Sequence, residues 1–238
     1  MNISAEKLDS FQLNRKIKAA VGTVHIDHCF GQRYIGSGMK EKTLVIHGTP
    51  GNALGSYLDG ATIVVYGNGQ DAVGDTMNSG QIIIHGHAGD GLGYAMRGGS
   101  IFVRGNAGCR VGIHMKQYQD QKPAIVIGGK VGSFLGEYMA GGLIVVLGLD
   151  EQEVPVGDFI GTGMHGGCIY VRSNKVPANV SAHVSVQHVT SEDMQEILPL
   201  LAAFAKYFGI NVENLAGDEF YLVKPNTSKP YAQLYTKN

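Results

Sequence analysis

GDTMNSGQIIIHGHAGDGL (residues 74–92) is followed without a gap by GYAMRGGSIFVRGNAGCRV (93–111). Laid one above the other, the two blocks align Gly74 with Gly93, Met77 with Met96, Ile82 with Ile101 and Gly86 with Gly105. Self-similarity at one fixed step is the mark of a repeat architecture. The step extends in both directions: Gly36, Gly55, Gly74, Gly93 and Gly112 stand 19 residues apart, each followed three residues on by Met39, Leu58, Met77, Met96 or Met115. Gly136 with Met139 and Gly161 with Met164 continue the series at steps of 24 and 25, one period plus insertions near 116–122 and 149–158.

Each block carries one short apolar run, such as Ile-Val-Val-Tyr (63–66), Ile-Ile-Ile-His (82–85) and Ile-Phe-Val-Arg (101–104). β-Branched residues in runs this short read as strands, whose side chains alternate between faces. Leu44, Ile63, Ile82, Ile101, Ile125, Ile144 and Ile169 then form one inward column, and Ile46, Val65, Ile84, Val103, Ile127, Val146 and Val171 a second. A strand every 19 residues leaves no room for a crossover helix. The expected fold is therefore an all-β solenoid, a right-handed parallel β-helix of about seven coils. At ~4.8 Å per coil it would be a rod of about 30 Å. The expected organisation is an N-terminal helix and lead-in strand over 1–30, the β-helix over 31–173, and a helical segment and tail over 174–238. SEDMQEILPLLAAFAKYFG (191–209) reads as helix, with Pro199 a potential break.

One column does not fit a solvated surface. Val45, Val64, Ile83, Phe102, Val126, Val145 and Tyr170 should face outward, yet all are apolar. Either a terminal segment or a protein partner, including a second copy of the chain, must cover them.

The 238 residues are 44% apolar and 16% charged, with a formal net charge of -1, which argues against disorder and against a polyanion-binding surface. Glycine, at 35 residues, implies many tight turns between short elements. Cys29, Cys109 and Cys168 form no disulfide framework and no zinc or iron–sulfur spacing. The N-terminus has no apolar signal-peptide core, and the run 198–205 is too short to span a bilayer, so a cytoplasmic protein is expected.

Several motifs invite chemistry. Gly161, Gly163 and Gly166 spell G-x-G-x-x-G, but a dinucleotide-binding turn needs a strand before it and a helix after it, and here a strand follows. His25 and His28 would point to opposite faces of a strand, and His47 and His85 are separated by Tyr66, so neither pair converges on a metal. Arg97, Arg104, Arg110, His114 and Lys116 form a candidate patch for an anion or a partner's acidic loop, with Glu137 and His165 in the next two turns. No catalytic set, cofactor-binding loop or metal cluster is expected in this chain.

The coil signature of GYAMRGGSIFVRG (93–105), GEYMAGGLIVVLG (136–148) and GTGMHGGCIYVR (161–172), together with KPYAQLY (229–235), resembles the C-terminal G-x-G-x-G β-helix domain of the glutamate synthase large subunit. The resemblance covers nearly the whole chain. It implies a non-catalytic scaffold subunit of a complex that transfers glutamine amide nitrogen to 2-oxoglutarate. Separate amidotransferase and synthase chains would carry the active sites, the flavin and the iron–sulfur centres, so no catalytic activity is expected of this chain alone. A formylmethanofuran dehydrogenase subunit with similar coils is the first alternative. A β-helix enzyme acting on polysaccharide is the second, with Asp71 and Asp90 sharing a column.

Overall fold

The computed structural model describes residues 1–217 and 219–228; KPYAQLY lies outside them. A short strand β1 (Asn2–Ser4) and helix α1 (Ser10–Ala19) precede eight parallel strands. These are β2 (Thr23–Phe30), β3 (Thr43–Thr49), β4 (Asp59–Tyr66), β5 (Ser79–Ile84), β6 (Ser100–Val103), β7 (Ala124–Ile127), β8 (Ala140–Val146) and β9 (Gly166–Arg172). β10 (Val184–His188), α2 (Ser191–Phe208), α3 (Glu213–Ala216) and β11 (Phe220–Pro225) complete the chain. All eleven strands form one sheet in the order β1-β2-β3-β4-β5-β6-β7-β8-β9-β11-β10.

From β3 to β9 the register is the 19-residue period made physical. Leu44 pairs with Ile63, Ile63 with Ile82, Ile82 with Ile101, and so on through Ile125, Ile144 and Ile169. Both inward columns are fully buried, as are Met77, Met96, Met115, Met139 and Met164. The solenoid has about eight turns rather than seven. The additional turn is β2, whose corner is replaced by α1, so it lacks the Gly-x-x-Met signature. A bulge between Ile26 and Cys29, with His28 at φ 56, also breaks its alternation.

The corners explain the glycine column. At each of the seven, three alternate residues have positive φ; in the second they are Ala53 (61), Gly55 (64) and Tyr57 (56). The flanking two tolerate side chains because there is room for one: a Cβ on Gly38 or Gly91, the glycines at such places in the first and fourth corners, meets nothing within 4 Å. The middle one faces the interior, where a Cβ on Gly55 would stand 2.6 Å from Cδ1 of Ile82 in the next coil. Positive φ alone favours glycine; positive φ against a packed isoleucine requires it.

The outer column is covered from within the chain. Ile197, Leu201, Phe204 and Ala205 form one buried stripe of α2. They cluster with Ile83, Phe102, Val126, Val145, Tyr170 and Leu222. Val45 and Val64 are only half-buried, Val64 packing against the edge of this cluster. α2 runs unbroken through Pro199, which lies on its exposed side, while Ile197 and Leu201 pack on either side of it. Its N-terminus is closed by a capping box between Thr190 and Asp193. Tyr170 and α2 are tied together by the Tyr170 hydroxyl donating to Glu196 at 2.6 Å, and Lys122 pairs with the same carboxylate.

The two ends differ. At the C-terminal end β11 runs antiparallel to β9, and β10 antiparallel to β11, which stops the parallel ladder; among the described residues the C-terminal segment thus holds two strands besides its helices. Val184 there packs where a further coil's isoleucine would lie, against Gly161. At the N-terminal end Leu13 and Ile17 of α1 close the interior. No helix of the described residues is long and apolar enough to cross a membrane.

Candidate functional site

The corner face is where the sequence places its candidate residues, and the structure divides them. Arg97, Lys116 and His165 occupy equivalent positions, four residues after the corner glycine, each donating its backbone N–H to the methionine carbonyl of the coil before (3.0 Å for Lys116). Arg97 and Lys116 are exposed on adjacent coils; His165 is two coils further and folds back, Nδ1 donating to the Gly163 carbonyl at 3.0 Å. Arg110 comes two residues before the glycine and reaches across to Glu137, Nε to Oε2 at 3.2 Å. His114 donates its backbone N–H to the Glu137 carbonyl (2.9 Å). Arg104 stands apart, beyond the end of β6, paired with Asp150 at 3.9 Å. Glu137 and His165 each have another partner and are not in contact as an acid–base pair.

Aromatic residues that the charge pattern conceals complete this face. The Arg110 guanidinium lies 5.0 Å over the Phe134 ring, and Phe134 stacks on exposed Phe159 at 5.0 Å. Tyr94, His114 and Tyr138 form a second row, the latter two rings parallel at 5.1 Å. The signal for the first row was available: Arg110, Phe134 and Phe159 are one column once the two insertions are counted. Cation–π and stacked pairs of this kind are typical of protein-contact surfaces.

The other candidates serve the ladder. Asp71 accepts the N–H of Asp90 (3.0 Å), and Asp90 that of Cys109 (2.7 Å), so the shared column is a chain of caps and not a carboxylate pair. His87 Nδ1 likewise accepts the N–H of Asn106 (2.9 Å). In the G-x-G-x-x-G corner, the N–H groups of Gly161, His165 and Gly166 all donate to the coil before, leaving none of these for a pyrophosphate. His47, Tyr66 and His85 are stacked rings, with Phe208 edge-on to His85. Burial holds His85 below the usual histidine range. Cys29 is buried and its thiol is pushed up to about 11, the opposite of an activated nucleophile. Among the described residues, no three of His, Cys, Asp and Glu converge in a metal-binding arrangement.

A stack of Gly-x-x-Met corners on a parallel β-helix, with Asp and Asn side chains capping the backbone of the next coil, defines a class of coil-repeat protein. The chain belongs to the GXGXG motif family, whose model matches residues 4–229. It is 40% identical to an uncharacterised protein of Methanocaldococcus jannaschii over 98% of this chain and 95% of that one. Among solved structures it is similar to a chain of the formyltransferase/hydrolase complex (FhcABCD) of Methylorubrum extorquens, determined with methylofuran. That likeness has a TM-score of 0.63 at 21% identity and covers 92% of this chain and 88% of that chain, which establishes the shared fold.

Proposed function

We propose that the chain is a non-catalytic scaffold subunit of a multi-chain enzyme complex, a stiff rod that holds separate catalytic chains in fixed relation. The observation that carries this reading is the use of its side chains. The Asp and Asn columns cap the backbone of the next coil, the interior is aliphatic, and what remains for other molecules is the aromatic and charged corner face. Arg97, Arg110, His114 and Lys116, with Phe134 and Phe159, are the proposed partner contacts there.

The likeness to a chain of the formyltransferase/hydrolase complex favours partners of that kind, the catalytic chains of a formyl-group-handling complex. A glutamate synthase-like complex, with amidotransferase and flavin-bearing synthase chains, is the second reading, supported by the coil signature. Tagging the full chain in its native host, purifying without denaturant and identifying the co-purifying chains separates the two. Recovery of the chain alone, at its own mass, would refute the scaffold reading.

A further inference from the structure

The corner ladder has an unfinished edge. In every corner after the first, the central glycine donates its N–H to the coil before: Gly55 to Ile35, Gly74 to Leu54, Gly93 to Val73, each at 2.8 Å. Four residues on, Asp59, Asn78 and Arg97 donate in the same direction, at 2.8–2.9 Å. Between them, the carbonyl one residue after the glycine accepts from that coil, as Ser56 does from Gly38 (2.8 Å). Before the first corner, the β2 turn has α1 in place of a corner. Among the described residues, the Gly36 N–H, the Ser37 carbonyl and the Lys40 N–H have no hydrogen-bond partner. α1 compensates for only part of this edge: Ser10 Oγ accepts the Arg33 N–H (2.9 Å) and Asn14 donates to the Arg33 carbonyl (2.9 Å).

Gly36, Ser37 and Lys40 line a cavity of about 650 Å³ between α1 and the corner. Lys18, Arg33, Lys40 and Lys42 line it, and no carboxylate does. Lys40 pairs with Asp59 outside it, and Lys42 Nζ donates to the Ile17 and Lys18 carbonyls at the end of α1. Lys18 and Arg33 are exposed, and among the described residues no carboxylate pairs with either. Phe11, Tyr34 and Met39 supply the apolar wall.

Resting on the scaffold reading, we infer that this cavity receives an acidic segment of a partner chain, whose backbone continues the corner ladder as a preceding coil would. The donor–acceptor–donor row selects a peptide: a backbone offers both C=O and N–H groups, whereas a phosphate or carboxylate ion would leave the Ser37 carbonyl unpaired and facing negative charge. Lys18 and Arg33, the two cations not already paired or capping α1, set the sign of the segment.

The test uses the purified native complex. A photocrosslinking residue at Tyr34 should capture a partner segment rich in Asp and Glu, and the 34–42 amides should exchange more slowly in the complex than in the free chain. Lys18→Glu with Arg33→Glu should lower recovery of that partner roughly tenfold or more, since like charges are then opposed. Lys16→Glu, on α1 but outside the cavity, should leave recovery unchanged; circular dichroism confirms that both variants fold. Crosslinks to a neutral or basic segment, or none while partners are bound, overturn the inference and leave the scaffold reading intact. Absence of any partner overturns both. Inorganic phosphate slowing the 34–42 amides of the free chain as much as the complex does would assign the site to a small anion and also overturn it.

Discussion

Replacing Gly55 by Ala tests whether packing, beyond backbone conformation, holds the glycine column. Gly38 and Gly55 have nearly the same φ, +63 and +64, but a Cβ on Gly38 meets nothing within 4 Å, whereas one on Gly55 would stand 2.6 Å from Cδ1 of Ile82. Both substitutions carry the left-handed cost of a non-glycine residue, about 1–2 kcal/mol. Only Gly55→Ala adds overpacking of a filled interior, about 1–3 kcal/mol. We expect Gly38→Ala to cost ~1 kcal/mol and Gly55→Ala ~3 kcal/mol. Ile82→Val removes the clashing methyl at an intrinsic cost of about 0.5–1.5 kcal/mol. The double variant Gly55→Ala/Ile82→Val should therefore be more stable than the sum of the singles by ~1–2 kcal/mol, a coupling expected of residues in contact. Urea unfolding followed by far-ultraviolet circular dichroism gives the four midpoints. Equal losses for Gly38→Ala and Gly55→Ala, or strict additivity in the double variant, would refute the packing account.

Phe204→Ala should cost about 3–5 kcal/mol and speed proteolysis within α2, because Phe204 belongs to the buried cluster with Phe102 and Val126; an unchanged cleavage rate counts against α2 as the cover. Glu196→Ala strands the buried Tyr170 hydroxyl, at about 1–3 kcal/mol, and Tyr170→Phe in that background should recover part of the loss in the same urea assay. Folding holds the His85 pKa below its ordinary 6.5 through burial, so the unfolded chain takes up the proton first. The stability His85 contributes is full above pH 6.5 and is lost as pH falls through its lowered folded value. His85→Gln should flatten that part of the stability–pH profile, and an unchanged slope would assign the effect elsewhere.

What could be read from the chain follows from what repeats. Seven corners and seven strands follow one pattern because each coil solves the same packing problem, so Gly74, Met77 and Ile82 predict Gly93, Met96 and Ile101. β2 escaped the count because a helix replaces its corner, and a bulge at His28 spoils its alternation. The apolar outer column announced that something covers it. That α2 does so depends on where β10 and β11 turn the chain back, and the short runs VSVQH and FYLVKP carry no periodic signal. Arg97, Arg110, His114 and Lys116 were legible as charges on corners, but the Arg110–Glu137 pair crosses an insertion of unequal length. The Phe134–Phe159 stack becomes visible only when the insertion near 149–158 is removed.

A solenoid leaves hydrogen-bonding groups unpaired at its ends, and this one treats its ends unequally. At the C-terminal end the reversal into β11 and β10 meets the last parallel strand with a backbone of its own, and Val184 fills the interior position of the missing coil. At the N-terminal end α1 fills the interior with Leu13 and Ile17. A helix, however, satisfies its own backbone and can lend a neighbouring edge only side chains, here Ser10 and Asn14 to Arg33. The apolar requirement of a cap is therefore met at both ends, and the hydrogen-bonding requirement fully at neither the Gly36 nor the Lys40 amide. Unpaired backbone groups have to be met by water or by a partner. Under the scaffold proposal, that edge and the aromatic corner face around Phe134 are the two places where a partner chain would bind.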